Sequence, residues 1–201
     1  MKVLVAMETS GKVRDAFIAA GHDAISCDLL PSDSETLGVH HQGDIYEILF
    51  SEHWDLIIAH PECTKLCVSG NGTYAAGMPK HQERLDSIKW TYQFWNDCKL
   101  TSDRICFENP VGVLTTQTDM PKPQYIQPWM FGHPESKKTA LFLHNLEPLG
   151  ETDNVKGWFD LLPIENQHRT HHMAPSADRW KLRSETFQGL AAAMAEQWGL
   201  F

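Results

Sequence analysis

The chain has 201 residues, 42% of them hydrophobic, enough for one domain with a sizeable buried core. Its formal net charge of −9 gives an average surface field that repels phosphate, which excludes a general electrostatic nucleic-acid binder and leaves a local basic patch, a partner or a small substrate. Five cysteines without disulfide-like spacing, and an N-terminal apolar run VLVAM that stops at Glu8, predict a reducing cytoplasmic setting with neither export nor a membrane span.

KVLVAM is continuously apolar and predicts a strand buried on both faces. In GKVRDAFIAAG, Val13, Ala16, Phe17 and Ala20 recur at helical spacing and Gly21 is a natural terminator. A second strand follows from Ala24 to Cys27, ending at Asp28, and PSDSETLGVHHQG after it reads as irregular loop. WDLIIAHP at 54–61 is the next buried strand, and HQERLDSIKWTYQFWNDC a helix with Leu85, Ile88, Tyr92 and Trp95 on one face. RICFENP at 104–110 and TALFLHNL at 139–146 predict two further strands. Residues 148–184, rich in His, Pro, Asn and Asp, read as irregular, and the last helix runs from about 186 to 198. The Met and Trp residues of the two long helices are expected in the core. Alternating strands and helices predict an α/β fold, with a largely parallel sheet covered by helices on both faces.

Ligands of such sheets bind at the carboxyl ends of the strands, and the exits here are polar. They read E-T-S-G, C-D-L-L-P, Q-G-D-I, H-P-E-C-T-K-L-C-V-S-G-N-G and F-E-N-P in turn. In this order the chain resembles the cytosine carbon-5 DNA methyltransferases, and most closely their small phage-encoded relatives. Ser10-Gly11 matches the family's cofactor turn, Asp28 its ribose-binding acid and Asp44 the acid near the adenine. Pro61-Glu62-Cys63 matches its Pro-Pro-Cys loop, Glu108-Asn109-Pro110 its Glu-Asn-Val, and the segment from Pro134 to Thr139 its later basic segment. The match covers most of residues 1–146 and, more weakly, the terminal helix.

The resemblance implies a Rossmann-like methyltransferase fold in a single domain, with S-adenosylmethionine as cofactor. Leu29, Ile45 and His60 would join Ser10, Gly11, Asp28 and Asp44 around that cofactor, and Pro61, Thr64, Ser69, Lys137 and Lys138 would face the substrate. Cys63 would add to carbon 6 of cytosine, and Glu108, its pKa raised by desolvation, would engage ring nitrogen 3 while Asn109 orients the Cys63 loop.

Three departures qualify what the resemblance implies. Glu62 replaces a proline and sets a like charge beside the thiolate, Pro110 replaces a valine, and lysines stand for paired arginines, losing bidentate geometry. Residues 148–184 are also too few for the family's target-reading domain, which base flipping in duplex DNA relies on. A free cytidine nucleotide, RNA, a partner protein supplying target recognition, or a non-catalytic binder in phage counter-defence therefore stand beside DNA methylation. No metal is expected. His60-Pro61-Glu62 lacks the Pro-Cys-x-x-Cys pair of zinc deaminases, and His168, His171 and His172 lack ordered ligand spacing.

Overall fold

The computed structural model describes every residue except Glu35, Leu37, Ala177, Asp178 and Phe201. In chain order the elements are β1 (Lys2–Ala6), α1 (Lys12–Ala19), β2 (Asp23–Asp28), β3 (Val39–Gln42), α2 (Tyr46–Leu49) and β4 (Leu56–Ala59). Then come α3 (Asn71–Tyr74), α4 (His81–Cys98), β5 (Ile105–Pro110), α5 (Leu114–Gln117), β6 (Gln124–Ile126) and β7 (Thr139–His144). Four short helices, α6 (Lys156–Leu161), α7 (Ile164–Gln167), α8 (Arg169–His172) and α9 (Arg179–Ser184), precede α10 (Gln188–Trp198).

The strands form one seven-stranded sheet in the order β3-β2-β1-β4-β5-β7-β6. β1 to β5 pair in parallel, whereas β7 runs antiparallel to both β5 and β6. This is the α/β, Rossmann-like fold expected, a largely parallel sheet in which the chain order reverses between β1 and β4, the place where open sheets of this kind bind ligands at their carboxyl ends.

Strand alternation divides the core. Val3, Val5, Leu56, Ile58, Cys106 and Leu141 pack under α1 and α10, against Phe17, Met194 and Trp198. Leu4, Ala6, Ile57, Ala59, Phe107 and Phe142 face α4, meeting Ile88, Phe94 and Trp95. Full burial of a side chain such as Phe94 contributes about 1.5–3 kcal/mol.

Four expectations need correcting. Leu85 is exposed, and the buried stripe of α4 is instead Arg84, Ile88, Thr91, Phe94, Trp95 and Cys98, because the Arg84 guanidinium finds backbone acceptors beneath the helix. Trp90 is exposed and stacks on Phe94, ring centroids 5.3 Å apart, while Trp95, Met194 and Trp198 are core. The loop after β2 contains β3, whose HHQ lacks apolar alternation. The segment 148–184 holds α6 to α9, none longer than six residues. Among the described residues no helix is long and apolar enough to cross a membrane, and all five cysteines are free.

Candidate functional site

β4 and β5 end side by side. Their register pairs Ile57 with Ile105 and Ala59 with Phe107, so His60, the first residue beyond β4, comes off the sheet beside Glu108, while β5 runs on to Pro110 against β7. His60 Nδ1 lies 3.2 Å from Glu108 Oε2, and the two side chains are only 12% and 11% exposed. His60 Nε2 is buried without a partner among the described residues, as is Oδ1 of Asn109. The other end of the Asn109 amide is engaged: Nδ2 donates to the Pro61 carbonyl at 3.0 Å. That bond ties the turn carrying Cys63 to the end of β5.

The turn is held from two further sides. Cys63 O accepts the amides of Leu66 and Cys67, winding residues 63–67 into one helical turn, and the segment after β5 bonds to this turn, Val113 N donating to Leu66 O and Val111 O accepting Val68 N. Gly112 is required at that crossing, since an added Cβ would lie 2.2 Å from Leu66 O. From α4, buried Arg84 donates to Lys65 O (2.6 Å), Cys67 O (3.1 Å) and Asn71 Oδ1 (2.8 Å), satisfying carbonyls a loop this buried could not leave bare. Sequence reading missed Arg84. The available signal was a single arginine inside the apolar stripe of a long helix.

Burial pushes the Cys63 thiol up to about 11, with Cys67 and Glu108 adding to the shift, Lys137 opposing it and Glu62 contributing least. The like charge of Glu62 is thus a minor effect, because its carboxylate points into solvent and pairs with Lys65 at 3.6 Å. Glu108 reverses the expectation of a raised value. Burial does push its carboxyl up, but the His60 hydrogen bond, the Lys137 charge, the His60 charge and Thr139 together outweigh it and hold the group below its ordinary value.

The exits of β1, β2 and β3 are more open. Glu8, buried and unassigned in the sequence reading, accepts the Val13 and Arg14 amides (2.8 and 3.3 Å) and the Ser10 hydroxyl (3.1 Å), so its charge occupies the N-terminus of α1. Gly11 turns the chain there at φ 70°, with its backbone against the Arg14 guanidinium. Asp28 Oδ1 accepts Leu30 N (2.9 Å) and Asp44 Oδ1 accepts Tyr46 N (2.9 Å), so each acid makes a local turn and neither Oδ2 has a protein partner among the described residues. Leu29 is 71% exposed, whereas Ile45 is packed into the core and offers a ligand only its backbone. Fully buried Arg14 bonds Asp15 within α1 (2.8 Å), Ser26 of β2 (2.9 Å) and, in the segment after β2, Thr36 (3.0 Å).

The two lysines part company. Lys137 Nζ donates to Glu185 O at 2.9 Å and faces Glu108 closely enough to perturb it, while exposed Lys138 lies 4.5 Å over the Tyr125 ring. Thr64 and Ser69 are exposed, and Ser69 Oγ lies 3.0 Å from Cys67 Sγ. A narrow pocket of about 10 Å³, one water's worth, is lined by Glu108, Lys137, Thr139 and Phe187. It adjoins a cleft of about 490 Å³ lined by Lys12, Lys137, Arg169, Arg183 and Glu185. Neither is lined by Ser10, Gly11, Asp28, Asp44 or Cys63. Among the described residues no group of three or more His, Cys, Asp or Glu side chains could hold a metal ion; the His171 side chain lies outside them.

No family model matches the chain, and no curated protein matches it. Among solved structures it is similar to a putative DNA modification methyltransferase encoded within an E. coli prophage, at 15% identity over 71% of this chain and 46% of that one, TM-score 0.47. It is also similar to the S. pombe Dnmt2 methyltransferase (13% identity, 82% and 55% covered, TM-score 0.46). A third is the Entamoeba histolytica methyltransferase EhMeth (12% identity, 78% and 57% covered, TM-score 0.47). The chain spans about half the length of these structures.

Proposed function

We propose that the chain transfers a methyl group from S-adenosylmethionine to carbon 5 of a cytosine in DNA, with Cys63 as covalent nucleophile. The observation that carries this reading is the hydrogen bond from Asn109 to Pro61, which ties the Cys63 turn to the strand end bearing Glu108. A thiol and a carboxyl held together by a buried amide are what addition across the 5,6 double bond of cytosine needs: sulfur to carbon 6, and a proton at nitrogen 3.

The open exits fit the cofactor. The unengaged Oδ2 atoms of Asp28 and Asp44 can accept ribose hydroxyls and an adenine amine, and Glu8, filling the α1 amides, favours the cofactor's ammonium over its carboxylate there. When bound, S-adenosylmethionine supplies an electrophilic methyl group. The chain's own part is to orient Cys63 through Asn109 and Arg84, to present Glu108 at the end of β5, and to set the Lys137 charge beside both reacting groups. A partner protein supplies the target reading for which residues 148–184 are too short.

The test is trapping. Oligonucleotides, RNA and cytidine nucleotides carrying 5-fluorocytosine are incubated with the protein and S-adenosylmethionine, because fluorine cannot leave as the proton does and the adduct persists. A stable adduct at Cys63 supports the reading. Its absence with every substrate favours a second reading, a non-catalytic nucleotide or partner binder, which the high pKa of Cys63 in the free protein supports.

A further inference from the structure

The proposed chemistry demands that Glu108 deliver a proton to ring nitrogen 3, yet its surroundings favour the carboxylate, which has no proton to give. The proton must come from a neighbour. Lys137 faces Glu108 from the segment before β7 but is anchored on the Ser184 and Glu185 carbonyls; Thr139 faces it from β7 with a hydroxyl. Cys63 and Cys67 lie on the adjoining turn, Cys106 lies within β5, and Glu62 points to solvent. Among these neighbours His60 combines a direct 3.2 Å contact to Glu108 Oε2 with a ring that can carry a proton on the nitrogen making that contact.

Resting on the methyltransferase reading, we propose that His60 is the positioning residue that holds the proton Glu108 delivers, the two side chains acting as a one-proton dyad across the ends of β4 and β5. Before substrate enters, the dyad is imidazolium and carboxylate. Cys63 releases its proton to solvent. As its sulfur adds to carbon 6, the His60 Nδ1–H bond breaks and an O–H bond forms at Glu108 Oε2. That bond breaks in turn as N–H forms at ring nitrogen 3. The dyad is left as neutral imidazole and carboxylate, and the adduct, formed from a thiolate and a proton, is neutral. After methyl transfer the carbon-5 proton is lost to solvent, the carbon-sulfur bond breaks to release Cys63 as thiolate, and the ring nitrogen 3 proton returns to the dyad by the same route. Parallel register sets the contact up, since the residues one step beyond the pair Ala59 and Phe107 are neighbours, and the side chains meet at 3.2 Å. The pairing also fixes which imidazole nitrogen faces Glu108 and leaves Nε2 as the buried atom without a partner among the described residues.

Histidine-selective NMR titration of the intact protein, with His60 assigned from the His60→Gln spectrum, reads the dyad without activity. The His60 midpoint is expected to fall by about one pH unit in Glu108→Gln, since an opposite charge favours the protonated ring; an unchanged midpoint overturns the proposal. Methyl transfer gives the second readout. His60→Gln is expected to lower kcat roughly 100-fold, leave the KM for S-adenosylmethionine within about twofold, and move the alkaline limb of the pH profile to lower pH, because Glu108 alone keeps its proton only in more acid solution. Wild-type kcat and an unmoved limb in His60→Gln overturn the dyad while the methyltransferase reading stands. No methyl transfer by the wild-type protein to any cytosine substrate overturns both. Should His60→Gln fail to fold, the Glu108→Gln titration decides alone, its histidine resonances then assigned through His60→Asn.

Discussion

The exits of β4 and β5 and the exits of β1, β2 and β3 open from the same sheet but are built differently. At β4 and β5, side chains from two elements converge on one turn, Asn109 from β5 and Arg84 from α4, and the backbone of Gly112 packs against it from a third side. At β1 to β3, Asp28 and Asp44 each use one oxygen on a local turn, and neither second oxygen has a protein partner among the described residues. The first region is organised by the protein alone, as the proposed reaction requires, since a reacting geometry cannot be assembled by the substrate at small cost. The second offers acceptors that a ligand completes.

The contrast breaks most visibly at Cys63. Cys63→Ser is expected to abolish the 5-fluorocytosine adduct, measured by mass spectrometry, while cofactor affinity stays within about twofold; Cys67→Ser, whose thiol meets Ser69, leaves both intact. Rigidity of the same region is tested by Arg84→Ala and Gly112→Ala. Removing the Arg84 donors strands buried carbonyls and is expected to cost about 2–4 kcal/mol in urea unfolding, and the Gly112 methyl about 1–3 kcal/mol through its clash with Leu66 O. If both variants unfold like the wild type, the turn is not held as described.

The open side is expected to respond in binding and not in stability. Asp28→Ala should weaken S-adenosylmethionine about 10- to 100-fold by calorimetry, the equivalent of about 1.5–3 kcal/mol for a charge-assisted hydrogen bond, with a melting temperature close to wild type. The smallest effect is assigned to Glu62. Alkylation of Cys63 by iodoacetamide should be slow at neutral pH and rise about tenfold per pH unit toward about 11, because only the thiolate reacts. Glu62→Gln should shift that profile little, burial being the dominant cause. A large acidward shift would show that Glu62, not burial, restrains the thiol.

Much of the sheet was legible because β1 and β4 are buried on both faces and so read as continuous apolar runs. β3 and β6 were not, since a short edge strand with polar residues carries no period to detect. On α4 the apolar count suggested Leu85, but helix rotation is decided by what Arg84 reaches across the fold. Ser10, Asp28, Cys63, Glu108 and Asn109 were singled out by their positions at strand exits and by the resemblance; of the other candidates, Lys138 lies over the Tyr125 ring and Ile45 is packed into the core.

By itself the sequence determined the alternation of buried strands and helices, and hence which residues emerge at the carboxyl ends, because periodicity and turn chemistry are local. Tertiary structure alone decided the charge states. Burial by itself would raise Glu108, and only the arrival of His60, Lys137 and Thr139 from β4, the approach to β7 and β7 itself reverses the sign. A pKa is a sum over neighbours, and here the neighbours that matter lie 29 to 48 residues away along the chain.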